Sequence, residues 1–143
     1  AECMLLAIGL QESRLIHQRQ IKGPARGLWQ FEQGGGTAGV LRHPLTAKLA
    51  RDVCAARGVE PTPTAVQIAL AGTDDVLDAA FARLLLWSDP GKLPGKGDVE
   101  GAWQLYLRTW RPGAYSRGTQ AQKDELRAKW ARNYAAAIRE VYR

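Results

Sequence analysis

The sequence predicts a mainly α-helical fold, and two observations support this class. Apolar residues recur at spacings near three and four over much of the chain, and glycine and proline separate these periodic stretches. Residues 16–39 are the only candidate for β structure, because the periodicity breaks there, and we expect loops with at most a short, irregular hairpin. The length of 143 residues is typical of one domain, so we expect a single unit over residues 1–143.

The first predicted helix covers residues 1–15 and carries Glu12 in its last turn. Its apolar residues share one face, which predicts that this side is buried. They are Met4, Leu5, Ile8 and Leu15, with Ala7 beside them. The loop-rich insert follows directly after this helix.

The same periodicity predicts further helices, so that about six are expected in all. They cover residues 45–57, 62–70, 74–87, 98–110 and 119–142. Thr62 or Thr64, Asp98, and Thr73 with the two aspartates after it are residue types that cap a first helical turn. Gly58 is typical of the residue that follows a helix end.

The composition excludes several classes of protein. Hydrophobic residues make up 45% and charged residues 24%, which argues against a disordered chain or a disulfide-dense scaffold. The two cysteines, Cys3 and Cys54, lie in apolar patterns and are interpreted as buried thiols, with a single bridge as the alternative. No apolar run approaches the length of a membrane span, and no basic segment precedes an apolar one at the start, so we expect no signal peptide.

The charge balance predicts an anionic partner. Lys and Arg total 20 against 14 Asp and Glu, a net charge of +6, which favours contact with a polyanion or an anionic surface. The last predicted helix is basic on its outer face, with six basic residues against three acidic ones from Lys123 to Arg143. This face is either simply solvated or attracted to anionic cell-envelope polymers or to outer-membrane lipid.

Glu12 is the strongest candidate for chemistry. It lies among apolar residues near the end of a helix, where burial and the negative helix end are expected to raise the pKa of its carboxyl group. Such an acid can protonate the leaving oxygen of a glycosidic bond near neutral pH. The alternative is an exposed carboxylate at a helix end.

A longer pattern surrounds this residue. Glu12-Ser13 on the helix is followed by Gly27-Leu28-Trp29-Gln30 on a loop, which begins fourteen positions after Ser13. This resembles the Glu-Ser and Gly-Leu-Met-Gln signature of goose-type lysozymes and lytic transglycosylases, over residues 7–32, and the chain has the size of small phage endolysins. The resemblance implies a lysozyme-like fold and cleavage of the β-1,4 bond between N-acetylmuramic acid and N-acetylglucosamine in peptidoglycan. It also implies that Glu12 is the general acid and that Gln30 lines the sugar groove.

The chain departs from the family pattern at two points. Trp29 stands where the family usually has Met, and its ring either faces a sugar or lies in the core. The family's Ala-Tyr-Asn-type motif is absent, and Tyr106 and Tyr115 are the nearest candidates for its tyrosine. Trp110 is a second candidate for a sugar-stacking ring. The predicted substrate-binding residues are Ser13, Gly27, Trp29, Gln30, Tyr106, Trp110 and Tyr115.

A second carboxylate decides between hydrolysis and transglycosylation. An inverting hydrolase needs a base for water, with the carboxyl groups roughly 6.5 to 9.5 Å apart, whereas a transglycosylase works with one acid. Glu32 lies two residues after Gln30, where goose-type lysozymes similarly carry an acid, and is assigned as the water-activating base. The alternatives are an exposed loop glutamate paired with Arg26 or Arg42, and a transglycosylase that uses Glu12 alone.

No cofactor or metal is expected. His17 and His43 share no ligand spacing with each other or with the cysteines. A basic helical nucleic-acid-binding module is the alternative from another class, but the basic residues are dispersed and form no DNA-binding motif. We therefore expect a monomeric muramidase that acts on peptidoglycan glycan strands and not on nucleic acid, at the periplasm or cell surface. If it is phage-encoded, it is made in the host cytoplasm.

Overall fold

The prediction of a mainly α-helical fold is confirmed by the computed structural model, which describes residues 1–20, 23–72 and 74–143. Helices make up 66% of the structure, and β structure in the described part is limited to two isolated bridges. The helices of the described part are α1 (Glu2–Ser13), α2 (Ala38–Arg42), α3 (Ala47–Arg57), α4 (Pro63–Leu70), α5 (Asp75–Trp87), α6 (Val99–Trp110), α7 (Gly113–Ser116) and α8 (Gln120–Val141). In these ranges no helix is long and apolar enough to span a bilayer.

The chain forms two compact units, Ala1–Gln11 with Gly91–Arg143, and Glu12–Pro90. An aromatic cluster forms the core of the first unit. The ring of Trp130 is fully buried, and Tyr106 stacks on it with 4.9 Å between centroids and 11° between planes. Trp103 lies 5.9 Å from Trp130. Stacked and tilted rings of this kind bury a large apolar area in a small unit.

Polar bonds join α8 to Gln11 of α1 within the same unit. Lys129 Nζ donates a hydrogen bond to the Gln11 carbonyl at 2.9 Å, and Asn133 Nδ2 donates to Gln11 Oε1 at 2.7 Å. The carbonyls at a helix C-terminus have no partner inside the helix. The Lys129 ammonium therefore satisfies one of these carbonyls and complements the negative end of α1.

The unit Glu12–Pro90 packs α2 to α5 around a core of aliphatic and aromatic side chains. Phe81 and Leu77 of α5 are fully buried. Gln67 of α4 is also buried, and both ends of its amide are used. Its Nε2 donates to the Phe31 carbonyl at 2.6 Å, and its Oε1 accepts from Thr37 Oγ1 at 2.7 Å. Buried polar groups are tolerated when they are bonded in this way.

The capping signals locate several helix ends correctly. Thr62 accepts from the Ala65 N–H at the start of α4, and Asp98 accepts from the Gly101 N–H at the start of α6. Gly58 follows α3 with a left-handed φ of 68°. The cap predicted at Thr73 lies outside the described residues, and Asp74 caps α5.

The structure differs from the prediction at the end of the first helix, in two short helices and in the glycine run. Helix α1 ends at Ser13 and not at residue 15, because Arg14 and Leu15 adopt left-handed φ angles of 58° and 56°. Helices α2 and α7 were not predicted, since four or five residues are too few for a periodicity to show. The glycine run expected in a loop forms a wide helical turn, in which the Thr37 N–H donates to the Glu32 carbonyl at 3.2 Å.

Both cysteines are free thiols, as predicted. Cys54 is buried in α3, and burial raises the pKa of its thiol. Cys3 in α1 is only partly buried, contrary to the prediction that both thiols are buried.

Candidate active site

The end of α1 is joined to the loop that carries the second half of the signature. Ser13 is 3% exposed, and its Oγ donates to the Leu28 carbonyl at 2.5 Å. The same Oγ accepts from the Leu15 N–H at 3.1 Å, which holds the left-handed turn after the helix. Glu12, the residue before Ser13, is half-buried. The two parts of the signature are therefore in direct contact.

The loop itself is a tight four-residue connection. Arg26 and Phe31 exchange both backbone hydrogen bonds at 2.8 Å and close a loop over Gly27-Leu28-Trp29-Gln30. The Gln30 N–H donates to the Gly27 carbonyl at 3.1 Å, and Gln30 Nε2 donates to the same carbonyl at 2.9 Å. The amide nitrogen of Gln30, predicted to line a sugar groove, is thus bonded to its own turn.

A buried aspartate that no sequence pattern singled out is bonded to this turn. Asp78 of α5 is 0% exposed, and its Oδ2 accepts from the Leu28 N–H at 2.6 Å. Burial raises the pKa of Asp78 to about 7, the bond from Leu28 opposes this rise, and the negative charge of Asp75 adds to it. The other oxygen, Oδ1, has no hydrogen-bond partner among the described residues.

Gly27 fits this arrangement because it has no side chain. Its φ of +82° lies in the left-handed region, and a Cβ atom there would lie 2.6 Å from Asp78 Oδ2. A larger residue would displace either the turn or the carboxyl group. Gly27 is one of the predicted substrate-binding residues, and its contact with Asp78 of α5 explains on structural grounds why glycine occupies this position.

One sequence signal could have pointed to Asp78. It directly follows Leu77 and precedes Phe81 and Ala82 by three and four residues, and all three of these apolar residues are buried. Residues at this spacing share a helix face. A carboxylate on a buried face predicts a partner from another part of the chain.

Two of the aromatic residues assigned to the substrate are buried instead. Trp29 is 7% exposed, which agrees with the alternative of a core tryptophan, and it leaves little of the ring for a sugar. Tyr106 is 3% exposed and stacked on Trp130, so its ring belongs to the core of its unit. Tyr115 and Trp110 are half-buried, and Tyr115 packs edge-on against the core ring Trp103 at 5.2 Å. Tyr106, Trp110 and Tyr115 belong to the unit that contains Gly91–Arg143, whereas Glu12 belongs to the other.

Glu32, the predicted water-activating base, has an exposed side chain. Its backbone carbonyl accepts from the Gly35 and Thr37 N–H groups. Within the described ranges its carboxylate forms neither an ion pair nor a hydrogen bond, so the suggested pairing with Arg26 or Arg42 is not formed there. Arg26 Nη1 instead donates to the carbonyls of Gly23 and Ala25, both at 2.8 Å.

The basic face of α8 is smaller than its composition indicates. Arg127 pairs with Glu100 at 3.0 Å, and Lys129 is bonded to α1. Lys123 lies over the ring of Tyr115, and Arg143 pairs with Glu140. Arg132 and Arg139 are exposed and form no ion pair with any described residue.

Residues 1–20, 23–72 and 74–143 hold no group of three or more His, Cys, Asp or Glu side chains placed to bind a metal ion. No protein-family model matches the chain, and no significant match is found among curated proteins or solved structures. The resemblance to goose-type lysozymes thus depends on the short signature alone.

Proposed function

We propose that this chain cleaves the β-1,4 bond between N-acetylmuramic acid and N-acetylglucosamine in peptidoglycan, with Glu12 as the general acid. The observation that carries the proposal is the hydrogen bond from Ser13 Oγ to the Leu28 carbonyl. It joins the Glu-Ser end of α1 to the Gly-Leu-Trp-Gln turn, fifteen residues further along the chain. Ser13 and Leu28 belong to the two halves of the signature, and local sequence patterns alone do not predict that they meet.

The position of Glu12 suits the transfer of a proton to a substrate. A general acid must be reachable by the leaving oxygen and yet be shielded from bulk water. Glu12 is half-buried and lies in the last turn of α1, next to a serine that is fixed by the loop. In the proposed reaction, Glu12 donates its proton to the oxygen of the glycosidic bond as that bond breaks.

The fate of the sugar then depends on a second group. In the hydrolytic reaction, Glu32 accepts a proton from the water that attacks the anomeric carbon. A lytic transglycosylase is the second candidate, because only Glu12 lies beside the Ser13–Leu28 bond and that reaction needs no second carboxylate. There, the substrate's own hydroxyl attacks and Glu12 acts first as acid and then as base.

Replacement of Glu12 by glutamine tests the proposal, because the amide keeps the shape of the side chain and cannot donate the proton. We expect the Glu12→Gln variant to clear a suspension of bacterial cell walls at least ~100-fold more slowly than the wild type. Glu2→Gln is the matched control, since Glu2 is exposed in the first turn of the same helix. Wild-type lytic activity in the Glu12→Gln variant would overturn the assignment.

Mass spectrometry of the digested cell walls separates the two reactions. Reducing N-acetylmuramic acid ends indicate hydrolysis, and Glu32→Gln should then lose activity as well. Anhydro ends indicate transglycosylation, and Glu32→Gln should then retain it.

A further inference from the structure

The peptide groups on both sides of Leu28 are held by different elements of the unit Glu12–Pro90. The Leu28 N–H donates to Asp78 Oδ2 of α5 at 2.6 Å, and the Leu28 carbonyl accepts from Ser13 Oγ at the end of α1 at 2.5 Å. One residue of the turn thus joins α5 to the end of the helix that carries Glu12. Loss of either bond leaves a backbone group of the half-buried Leu28 without its partner.

We infer that Asp78 is a positioning residue, whose buried carboxyl group holds the Gly27–Gln30 turn in place and, through Leu28 and Ser13, fixes the end of α1 that carries Glu12. Asp78 does not touch the substrate, and it acts on the reaction only through the turn. Because the reaction is itself proposed, this role in catalysis rests on the proposed function.

One physical argument and two observations support this role over that of a simple core residue. An aliphatic side chain would fill the same space in α5 without the cost of burying a polar group. The approach is close enough to require glycine at position 27, so the turn and the carboxyl group fit each other. The second oxygen of Asp78 has no hydrogen-bond partner among the described residues, so the bond to Leu28 is the one its carboxyl group makes there.

The electrostatic surroundings of Asp78 are simple. The charge that acts on it, in the described part of the chain, is that of Asp75 in the first turn of α5. Asp75 in turn accepts a hydrogen bond from Gln18 Nε2 of the loop after α1 at 3.0 Å. No cation is placed to neutralise Asp78 there, and the carboxyl group gains a proton near neutral pH.

Two variants of Asp78 test the inference through the Leu28 amide and through turnover. Asp78→Asn keeps an oxygen that accepts from Leu28, whereas Asp78→Val keeps a similar volume and removes the acceptor. In Asp78→Val we expect hydrogen exchange of the Leu28 amide, measured by NMR, to accelerate by roughly tenfold to a hundredfold. With soluble glycan strands as substrate, kcat should fall in Asp78→Val with little change in KM, and Asp78→Asn should restore it.

Asp52→Asn is the control, because Asp52 is an exposed residue of α3 whose carboxylate pairs with the exposed Lys48. It should leave both the Leu28 exchange rate and kcat unchanged. Wild-type protection of Leu28 in Asp78→Val would overturn the inference, as would an equal loss of kcat in Asp78→Val and Asp78→Asn. If the wild type cleaves no glycan, the proposed function and the catalytic role of Asp78 both fail. If the wild type cleaves glycan but Leu28 exchange is unaltered in Asp78→Val, the positioning role alone is contradicted.

If Asp78→Val does not fold, an NMR titration of the wild type tests the inference instead. The carboxyl carbon of Asp78 and the Leu28 amide proton are followed by NMR as the pH is raised. Because the carboxyl group is bonded to this amide, both signals should shift with the same midpoint. A Leu28 amide that does not respond while Asp78 titrates would overturn the inference.

Discussion

Asp78→Asn should make the stability of the protein less sensitive to pH. The ordinary pKa of the aspartate carboxyl group is 3.8, and burial raises it to about 7 in the folded chain. Between these values the folded state keeps a proton that the unfolded state releases. The free energy of unfolding therefore falls as the pH rises through this window, and the loss is complete above about pH 7.

The size of the effect follows from the difference between the two pKa values. It corresponds to roughly 4 kcal/mol in total, of which roughly 2 to 3 kcal/mol is lost between pH 5 and pH 8. Asparagine fills the same volume and carries no charge at either pH. Asp78→Asn should thus gain stability relative to the wild type by this amount between pH 5 and pH 8.

Urea unfolding at the two pH values measures this gain, with tryptophan fluorescence and circular dichroism followed in parallel. All other titrating groups are shared, so the difference between variant and wild type reports on Asp78. Asp52→Asn, at an exposed position, should run parallel to the wild type. Parallel curves for Asp78→Asn and the wild type from pH 5 to pH 8 would refute the conclusion that Asp78 is buried without a counter-ion.

Two further predictions concern the same unit. Gly27→Ala should lower the free energy of unfolding by roughly 2 kcal/mol or more, because its φ is left-handed and its methyl group would meet the carboxyl group of Asp78. Gly58→Ala, with a left-handed φ and open space around it, should lose only about 1 kcal/mol in the same urea assay, and equal losses would contradict the close contact. Asp74→Ala should cost about 1 kcal/mol at pH 7 through the lost cap of α5. The hydrogen bond from Arg57 lowers the pKa of Asp74 below the ordinary value of 3.8. The stability difference between the wild type and Asp74→Ala, measured by thermal unfolding, should therefore shrink as the pH falls below 3.8, and a growing difference would contradict this prediction.

The helices were largely predictable because their signals are local. The predicted ends at Trp87 and Trp110 are those of α5 and α6. Asp98 caps α6 as predicted, and of the two candidates for the cap of α4, Thr62 and Thr64, it is Thr62 that forms it. A cap needs only a short polar side chain three residues before the N–H that it accepts from, so the sequence alone contains the information. The end of α1 at Ser13 was less predictable, since non-glycine residues rarely adopt a left-handed φ.

The candidate site was predictable only in part, because its bonds join distant residues. Leu28 and Asp78 are 50 residues apart, and no local pattern specifies that a backbone N–H meets a given carboxyl group. The environment of Trp29 was equally open from sequence, since a tryptophan in the core and one beside a sugar have the same local pattern. The position of Glu12 near the end of α1 followed from the helix periodicity alone.

The residues of the Gly27–Gln30 turn each have a structural role that does not involve a substrate. Gly27 allows Asp78 to approach, Leu28 is bonded on both sides, Trp29 is buried, and the Gln30 amide nitrogen is bonded to its own turn. This part of the signature therefore forms an ordered turn that is bonded to the end of α1. Such a turn can form in a chain that does not cleave a glycan. Substitutions in the turn report on geometry, whereas Glu12→Gln reports on proton transfer. Loss of activity in Glu12→Gln with a fully protected Leu28 amide is the result that assigns the chemistry to Glu12 and the architecture to the turn.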